Sequence, residues 1–482
     1  MKNLEKLVQT LVRLPNETTW VEFKHNNYDP VMIGERISGL ANAATLDDRT
    51  VSYMLWGVHD KTHEIIGTDR DLQNIKIGND ELEGWLRQRL SRNVDFKLEF
   101  VEIDGKRVGV MTISAAVGFP VSFQKNDFIR FGSVTRKLNE FTEKRGQLWD
   151  KLRNSKFETR IAKDELAPAE VVALLDSQAY FDLKGIPYPT SQDGVIHYFL
   201  EEGLIVLQDN GLYSITNLGA ILFAKKLSDF PTVSRKAIRV VRYNGENKLE
   251  MEHEDTGNKG YAIGYEALIK YVSALTPSLE PINVALREKQ SAYPAIAIRE
   301  AVANALIHQD FTVTGAGPLI EIFSNRIEIT NPGTPLVDVL RIVDTPPKSR
   351  NEKLASLMRQ MNMCEEAGSG WDKIVISCEK ANLPSPKAAV YEESTKVTLF
   401  SKMPFARITN DNKLLACYWH ACVKQVQEDQ LTNASLRKRF GLPESSAGIV
   451  SRLIKDAMDK HYIKPFDPTA GRKYMRYIPI WA

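Results

Sequence analysis

Between Arg299 and Asp310 the chain reads Arg-Glu-Ala-Val-Ala-Asn-Ala-Leu-Ile-His-Gln-Asp, and Glu300, Asn304 and His308 recur every four residues. On a helix that interval puts all three on one stripe, with Ile298, Val302, Ala305 and Leu306 opposite. A solvated stripe is rich in Lys and Arg, whereas this one holds an acid, an amide and an imidazole. An Asn carbonyl can take Mg²⁺ and a Glu can polarise a water, so the stripe reads as the wall of a site. Downstream come Gly315-Ala316-Gly317-Pro318, a hairpin from Leu319–Ile322 and Arg326–Thr330, and Asn331-Pro332-Gly333-Thr334-Pro335. Gly368-Ser369-Gly370 then precedes a helix at 372–378, where glycines let backbone N–H groups approach phosphates.

One such domain cannot use up 482 residues, a length that fits two to four domains. Apolar residues make up 43% and charged residues 26%, as in globular chains. No apolar run approaches the ~20 residues of a membrane helix. Met1-Lys2-Asn3-Leu4-Glu5 lacks the apolar core of a secretory signal, and four cysteines are too few for a disulfide framework, so a cytoplasmic protein with free thiols is expected. The net charge of +2 leaves polyanion binding to local patches.

The texture divides the chain into an α+β multidomain protein. Residues 1–160 mix helices with strand-like runs. Residues 161–235 hold helices and a hairpin turning at Asn210-Gly211, which reads as a winged-helix connector. Residues 236–405 form a second α/β domain, and residues 406–482 a helical module ending in a strand over Tyr474–Trp481.

In the first domain, Glu22 and Lys24 share one face of a short strand after Glu17, and Asp60 stands where a second strand opens into a loop. Three acids brought together hold Mg²⁺ or Mn²⁺, and Lys24 steadies a phosphate; scattered, they are solvated surface. Arg130, Arg136 and Lys137, beside Phe128 and Phe131, combine cations with aromatic faces suited to phosphates and bases.

Glu17, Glu22-Phe23-Lys24, Ile37-Ser38-Gly39-Leu40-Ala41-Asn42-Ala43, Leu55-Trp56-Gly57-Val58-His59-Asp60 and Phe128–Lys137 resemble the Schlafen-type AlbA domain. The resemblance implies that Glu17, Glu22 and Asp60 match the metal-binding catalytic carboxylates of Schlafen endoribonucleases, which cut structured RNA such as tRNA. It leaves open a domain that only binds nucleic acid. Where the family has Gly-Gly after its "ANt" element, this chain has Thr45-Leu46-Asp47-Asp48.

From Thr216 to residue 400 the order of motifs resembles the GHKL ATPases, in the divergent branch that follows Schlafen-type domains in bacterial proteins labelled RecG-related helicases or transcriptional regulators. The resemblance implies a GHKL-like α/β sandwich that binds ATP, with Asn304 as the Mg²⁺ ligand and Glu300 activating water. His308 belongs to the same box, Asn331 and Gly333 stand at the adenine element, and Gly368, Ser369 and Gly370 at the phosphates. The usual adenine-binding Asp is missing. Arg350 lies in the stretch that forms a lid in relatives, and ATP-driven dimerisation there implies a homo-oligomer. Without a Gly-x-x-x-x-Gly-Lys-Ser/Thr element, helicase activity is not expected.

From Ser435 to Arg476, ten Lys and Arg face four Asp and Glu, an excess of six positive charges. Helix, turn, helix and wing resemble a winged helix, with Arg452 at the groove and Arg472 and Lys473 at the wing. Two readings follow. One is a metal-dependent nuclease, with RNA or tRNA favoured, set by an ATP-responsive module in phage or stress defence. The other is an ATP-binding, DNA-binding regulator that does not cut.

Overall fold

The computed structural model describes residues 2–70, 74–154, 156–279, 290–364, 370–471 and 474–482. The chain is mixed α+β and divides into two compact units, Met1–Ala167 with Val206–Ser214, and Pro168–Ile205 with Ile215–Ala482.

In the first unit, helix α1 (Lys2–Val12) leads to strand β1 (Val21–Lys24), helix α2 (Pro30–Leu46) and strand β2 (Val51–Trp56). β1 and β2 are parallel, so the chain must cross over between them, and α2 makes that crossover. β3 (Phe96–Ile103) and β4 (Lys106–Ser114) complete an otherwise antiparallel sheet of order β1-β2-β4-β3. Asp104 and Gly105 join them, both at positive φ, as a two-residue hairpin turn requires. Successive residues of β2 serve opposite cores. Met54 and Trp56 pack with Ile33, Ile37 and Leu40 of α2, while Tyr53 and Leu55 pack with Leu7, Val8 and Leu11 of α1.

Helix α2 starts at Asp29, whose side chain accepts from Met32 N at 2.7 Å, and Pro30 fits the first turn. Its buried polar residues clasp the strands that follow. β5 (Ser122–Phe123), β6 (Asn126–Phe131) and β7 (Val134–Lys137) form a small sheet. Asn42 donates to Val121 O (2.9 Å) and Phe128 O (2.8 Å) and accepts from Val121 N (2.8 Å). Ser38 Oγ donates to Val121 O at 2.6 Å and accepts from Phe128 N at 3.0 Å. A Cβ on Gly39 would stand 2.9 Å from Thr135 Cγ2, so the close approach of β7 needs glycine there. Helix α3 (Thr142–Asn154) closes this core with Leu148 and Leu152.

After a first helix over Pro168–Leu174, the second unit continues with α4 (Ser177–Lys184), α5 (Gln192–Glu201) and α6 (Asn217–Phe223), joined through Tyr180, whose ring meets Phe199 and Phe223 edge-on at 5.4 Å. Strands β8 (Arg239–Tyr243) and β9 (Met251–Thr256), helices α7 (Tyr261–Leu275) and α8 (Ala295–Ile307), and strands β10 (Leu319–Ile322) and β11 (Arg326–Pro332) come next. Helices α9 (Glu352–Gln360) and α10 (Gly370–Lys380) precede strands β12 (Lys387–Tyr391) and β13 (Ser394–Phe400). The sheet order is β9-β8-β10-β11-β13-β12, and α8 lies against α7, α10 and β11.

Helices α11 (Asn410–Val426), α12 (Asn433–Arg439) and α13 (Ala447–Asp459) end the unit with β14 (Ile463–Pro465) and β15 (Tyr477–Pro479). Their core joins Leu414, Cys417, Leu436, Val450, Leu453 and Ile463. The last strand is shorter than the expected Tyr474–Trp481. Cys417 and Cys422 are fully buried, and burial pushes both thiols up to about 12. His420, between them in sequence, contacts Glu379 and Ser435 instead.

Because the three hydrogen bonds of Asn42 lie out of water, Asn42→Ala should destabilise the first unit by roughly 2–4 kcal/mol. Hydrogen exchange at the Val121 amide should accelerate with it. An unchanged denaturation midpoint and unchanged exchange would show that the clasp is dispensable.

Candidate functional site

A cavity of about 690 Å³ in the second unit is lined by Glu300, Asn304, His308, Asn331, Arg350 and Gly370, six residues singled out in the sequence. α8 supplies Glu300 and Asn304, His308 follows as its C-terminal cap at the same four-residue interval, Asn331 comes from the end of β11, and Gly370 opens α10. Gly333 lines a neighbouring recess with Asp310, Thr312 and Glu393. Its φ is +100°, and a Cβ there would stand 2.7 Å from Asp310 Cβ. Gly368 and Ser369 lie outside the described residues.

Gly370 sits against the stripe. A Cβ built on it would be 2.9 Å from Glu300 Oε2 and 3.5 Å from Asn304 Nδ2, so any other residue would fill the space between helix start and carboxylate. His308 is an exposed residue on the cavity wall, and the partial loss of water around its ring together with the Arg350 charge lowers its pKa. A neutral imidazole with one donor and one acceptor nitrogen follows.

Arg350, in the stretch that forms a lid in relatives, is committed. Its guanidinium donates to Thr334 O (2.7 Å) and His308 O (3.3 Å) and stands 3.8 Å from Asp310. Arg350 therefore ties the loop after β11 to the end of α8.

The rest of the wall carried no sequence signal. Leu336, Val337, Val339 and Ile342 give it an apolar side. That segment is tied to α11, because Tyr418 Oη donates to Leu340 O, and Trp481 Nε1 donates to Tyr418 Oη at 3.2 Å. Arg341 lies over the Trp481 ring at 5.5 Å. Trp371 meets Trp419 edge-on at 5.7 Å.

In the first unit the carboxylates surround a guanidinium. The Arg130 side chain is fully buried; it donates to Glu17 Oε2 at 3.1 Å and to Thr18 O at 2.9 Å, and pairs closely with Glu22. Lys24 (2.6 Å) and Arg36 (3.2 Å) also hold Glu22, which is 1% exposed. Burial lowers the pKa of Arg130 and of Lys24, opposed in each by neighbouring carboxylates. Asp60 is 56% exposed and 3.6 Å from His59 Nδ1, and its charge acts on Lys24 as that of Glu17 does. Among the described residues no group of three His, Cys, Asp or Glu side chains is placed to hold a metal ion. Glu22 already faces three cations, so the donor set as arranged does not fit a divalent ion.

Arg130 therefore belongs to the interior, not to a phosphate-binding face. Phe128 is buried and Phe131 packs on Phe141 at 4.5 Å, so neither offers a ring to a base. Arg136 and Lys137 on β7 are exposed, as is Arg452 on α13. Arg472 and Lys473 lie outside the described residues.

Residues 17–139 match the family model described as "Schlafen, AlbA_2", and residues 315–399 match the one described as "Putative ATP-dependent DNA helicase recG C-terminal". The two matches are those of a chain that joins a Schlafen/AlbA_2 domain to a RecG-like C-terminal domain. No curated protein matches the chain. Among solved structures, the DIP2311 protein from Corynebacterium diphtheriae is 14% identical over 99% of this chain and 98% of that chain, with a TM-score of 0.43. No described helix is long and apolar enough to cross a membrane.

Beside Gly370 and Trp371, burial pushes the Asp372 carboxyl from 3.8 up to about 6. Above pH 6 the folded protein holds a charge it disfavours. That cost fades between pH 6 and 4 and is gone once both states are protonated. Since Asp372 keeps some water, Asp372→Asn should gain only about 1 kcal/mol at pH 7.5 and nothing at pH 4. Denaturation midpoints at the two pH values check this; equal gains at both would assign the effect to something other than charge.

Proposed function

We propose that the protein binds Mg–ATP in the 300–370 cavity and acts on nucleic acid by binding it, as a nucleotide-responsive regulator. The convergence of Glu300, Asn304, His308, Asn331, Arg350 and Gly370 on one cavity carries this reading. The GHKL-like sandwich at 236–405 and the winged helices at 161–235 and 406–482 belong to the same proposal, as does ATP-linked self-association.

In the proposed site the Asn304 carbonyl holds the Mg²⁺ that accompanies the nucleotide, and that ion neutralises phosphate charge. Glu300 orients water, an ordinary task for a carboxylate in a confined pocket. Gly370 gives the phosphates a backbone unobstructed by a side chain. His308, held neutral, adds a hydrogen bond without adding charge. The Asn331 side chain, 6% exposed with Nδ2 donating to Pro332 O at 3.2 Å, turns its remaining acceptor capacity toward the base.

For the nucleic acid, the exposed Arg136, Lys137 and Arg452 supply phosphate contacts. The pairing of Glu17 and Glu22 with Arg130 favours binding over metal-dependent cutting.

Calorimetry on the full chain should show Mg–ATP binding in the micromolar range. Asn304→Ala should weaken it by about tenfold or more, and Glu300→Gln should spare binding while removing any turnover. Absence of ATP binding by the wild type at millimolar nucleotide would end this reading.

The nucleic-acid arm is checked with tRNA, single-stranded RNA and DNA, with Mn²⁺ or Mg²⁺. Retention without cleavage is expected, with affinity falling steeply as salt rises. Cleavage lost in Asp60→Asn, a substitution at an exposed side chain that leaves the buried pairs intact, would replace the regulator with a nuclease.

A further inference from the structure

Helix α9 lines the same cavity with Glu352, Ala355 and Arg359, whose spacing of three and four residues puts them on one face. Its direction is set at both ends. At its start Asn351 Nδ2 donates to Ile307 O (2.7 Å) and Gln309 O (2.8 Å), beside the end of α8. Just past its last turn, Arg299, in the first half of α8, donates to Asn362 O at 2.8 Å. The two helices are therefore antiparallel. With a rise of about 1.5 Å per residue, Arg359 comes level with the turn of α8 that carries Glu300 and Asn304. Gly370 abuts the same two side chains.

The cations that line this cavity differ in their commitments. Arg350 is spent on Thr334 O, His308 O and Asp310. Lys348 is on the exposed Pro346–Lys348 stretch at the rim. The Arg359 guanidinium has no hydrogen-bond or ion-pair partner among the described residues, although it lies on an ordered helix facing the cavity. An unpaired fork beside a buried carboxylate and an amide is suited to a group with several anionic oxygens.

We propose that Arg359 receives the terminal phosphate of the bound nucleotide and so makes the cavity discriminate a triphosphate from a diphosphate. This rests on the nucleotide reading above and adds which residue senses the last phosphate. The role assigned by sequence to Arg350 passes to a residue nine positions later, carried on a helix and not on a loop.

The test titrates the full chain with ATP and with ADP, both with Mg²⁺, for wild type, Arg359→Gln and Arg359→Lys. Arg359→Gln should weaken ATP at least tenfold while ADP stays within about twofold. Arg359→Lys, which keeps the charge and loses the fork, should fall between. Equal loss for both nucleotides, or no loss for either, would overturn the assignment while leaving the cavity reading intact. A wild type that binds neither nucleotide overturns the cavity reading itself. Matching melting temperatures for the three proteins exclude misfolding; should Arg359→Gln unfold, ATP and ADP affinities of Arg359→Lys decide alone, equal changes counting against the proposal.

Discussion

The end of a helix leaves carbonyl groups with no partner in the helix itself, and α8 ends in the interior, where water cannot serve them all. Ile307 O and Gln309 O are taken by Asn351, and His308 O by Arg350. Much of the second unit follows from that requirement. The chain must bring residues 350 and 351 back to the helix end, which fixes where α9 begins and in which direction it runs. It also fixes the loop after β11, because Arg350 reaches Thr334 O from the same position. The cavity is the space left between helices aligned this way and the sheet beneath them. Gly370 then sets how closely α10 closes it.

The first unit solves a comparable problem with charge. Glu22 is nearly inaccessible, and an isolated carboxylate there would be too costly to keep ionised. Arg130 answers it, but only because Ser38 and Asn42 hold β6 in register against α2. The segment Ile37–Ala43 thus acts at a distance on the carboxylates through two backbone segments. The residues most like a catalytic centre in sequence are also the ones the fold neutralises.

What could be read in advance follows from how local each signal is. The stripe on α8 was legible because helical periodicity is local, whereas the division of β2 between two cores was not, since a strand buried on both faces shows no alternation. The hairpin from Leu319 to Thr330 was also visible. Arg130 was misread because a basic residue between phenylalanines looks like a binding strand. Only the long-range contact with Glu17 shows that the guanidinium points inward. The contacts of Arg350 were not legible either, because two of its partners are carbonyl groups that no side-chain pattern reports. The apolar wall from Leu336 to Ile342 carried no signal, since four aliphatic residues in an irregular segment resemble any loop.

The Glu17–Arg130 contact spans 113 residues. That separation has a meaning for the order in which the first unit forms. During synthesis the chain emerges from its amino end, so Glu17 and Glu22 leave the ribosome together with Lys24 and Arg36 but well before Arg130. With synthesis at about 5–20 residues per second, the delay is on the order of ten seconds. Through that interval Glu22 has Lys24 and Arg36 beside it but not Arg130, and Glu17 lacks the guanidinium that it meets in the finished unit. Strand β6, which carries Arg130, therefore completes a charge cluster that the first strand begins. A truncation just before residue 130 would leave Glu17 and Glu22 without that guanidinium.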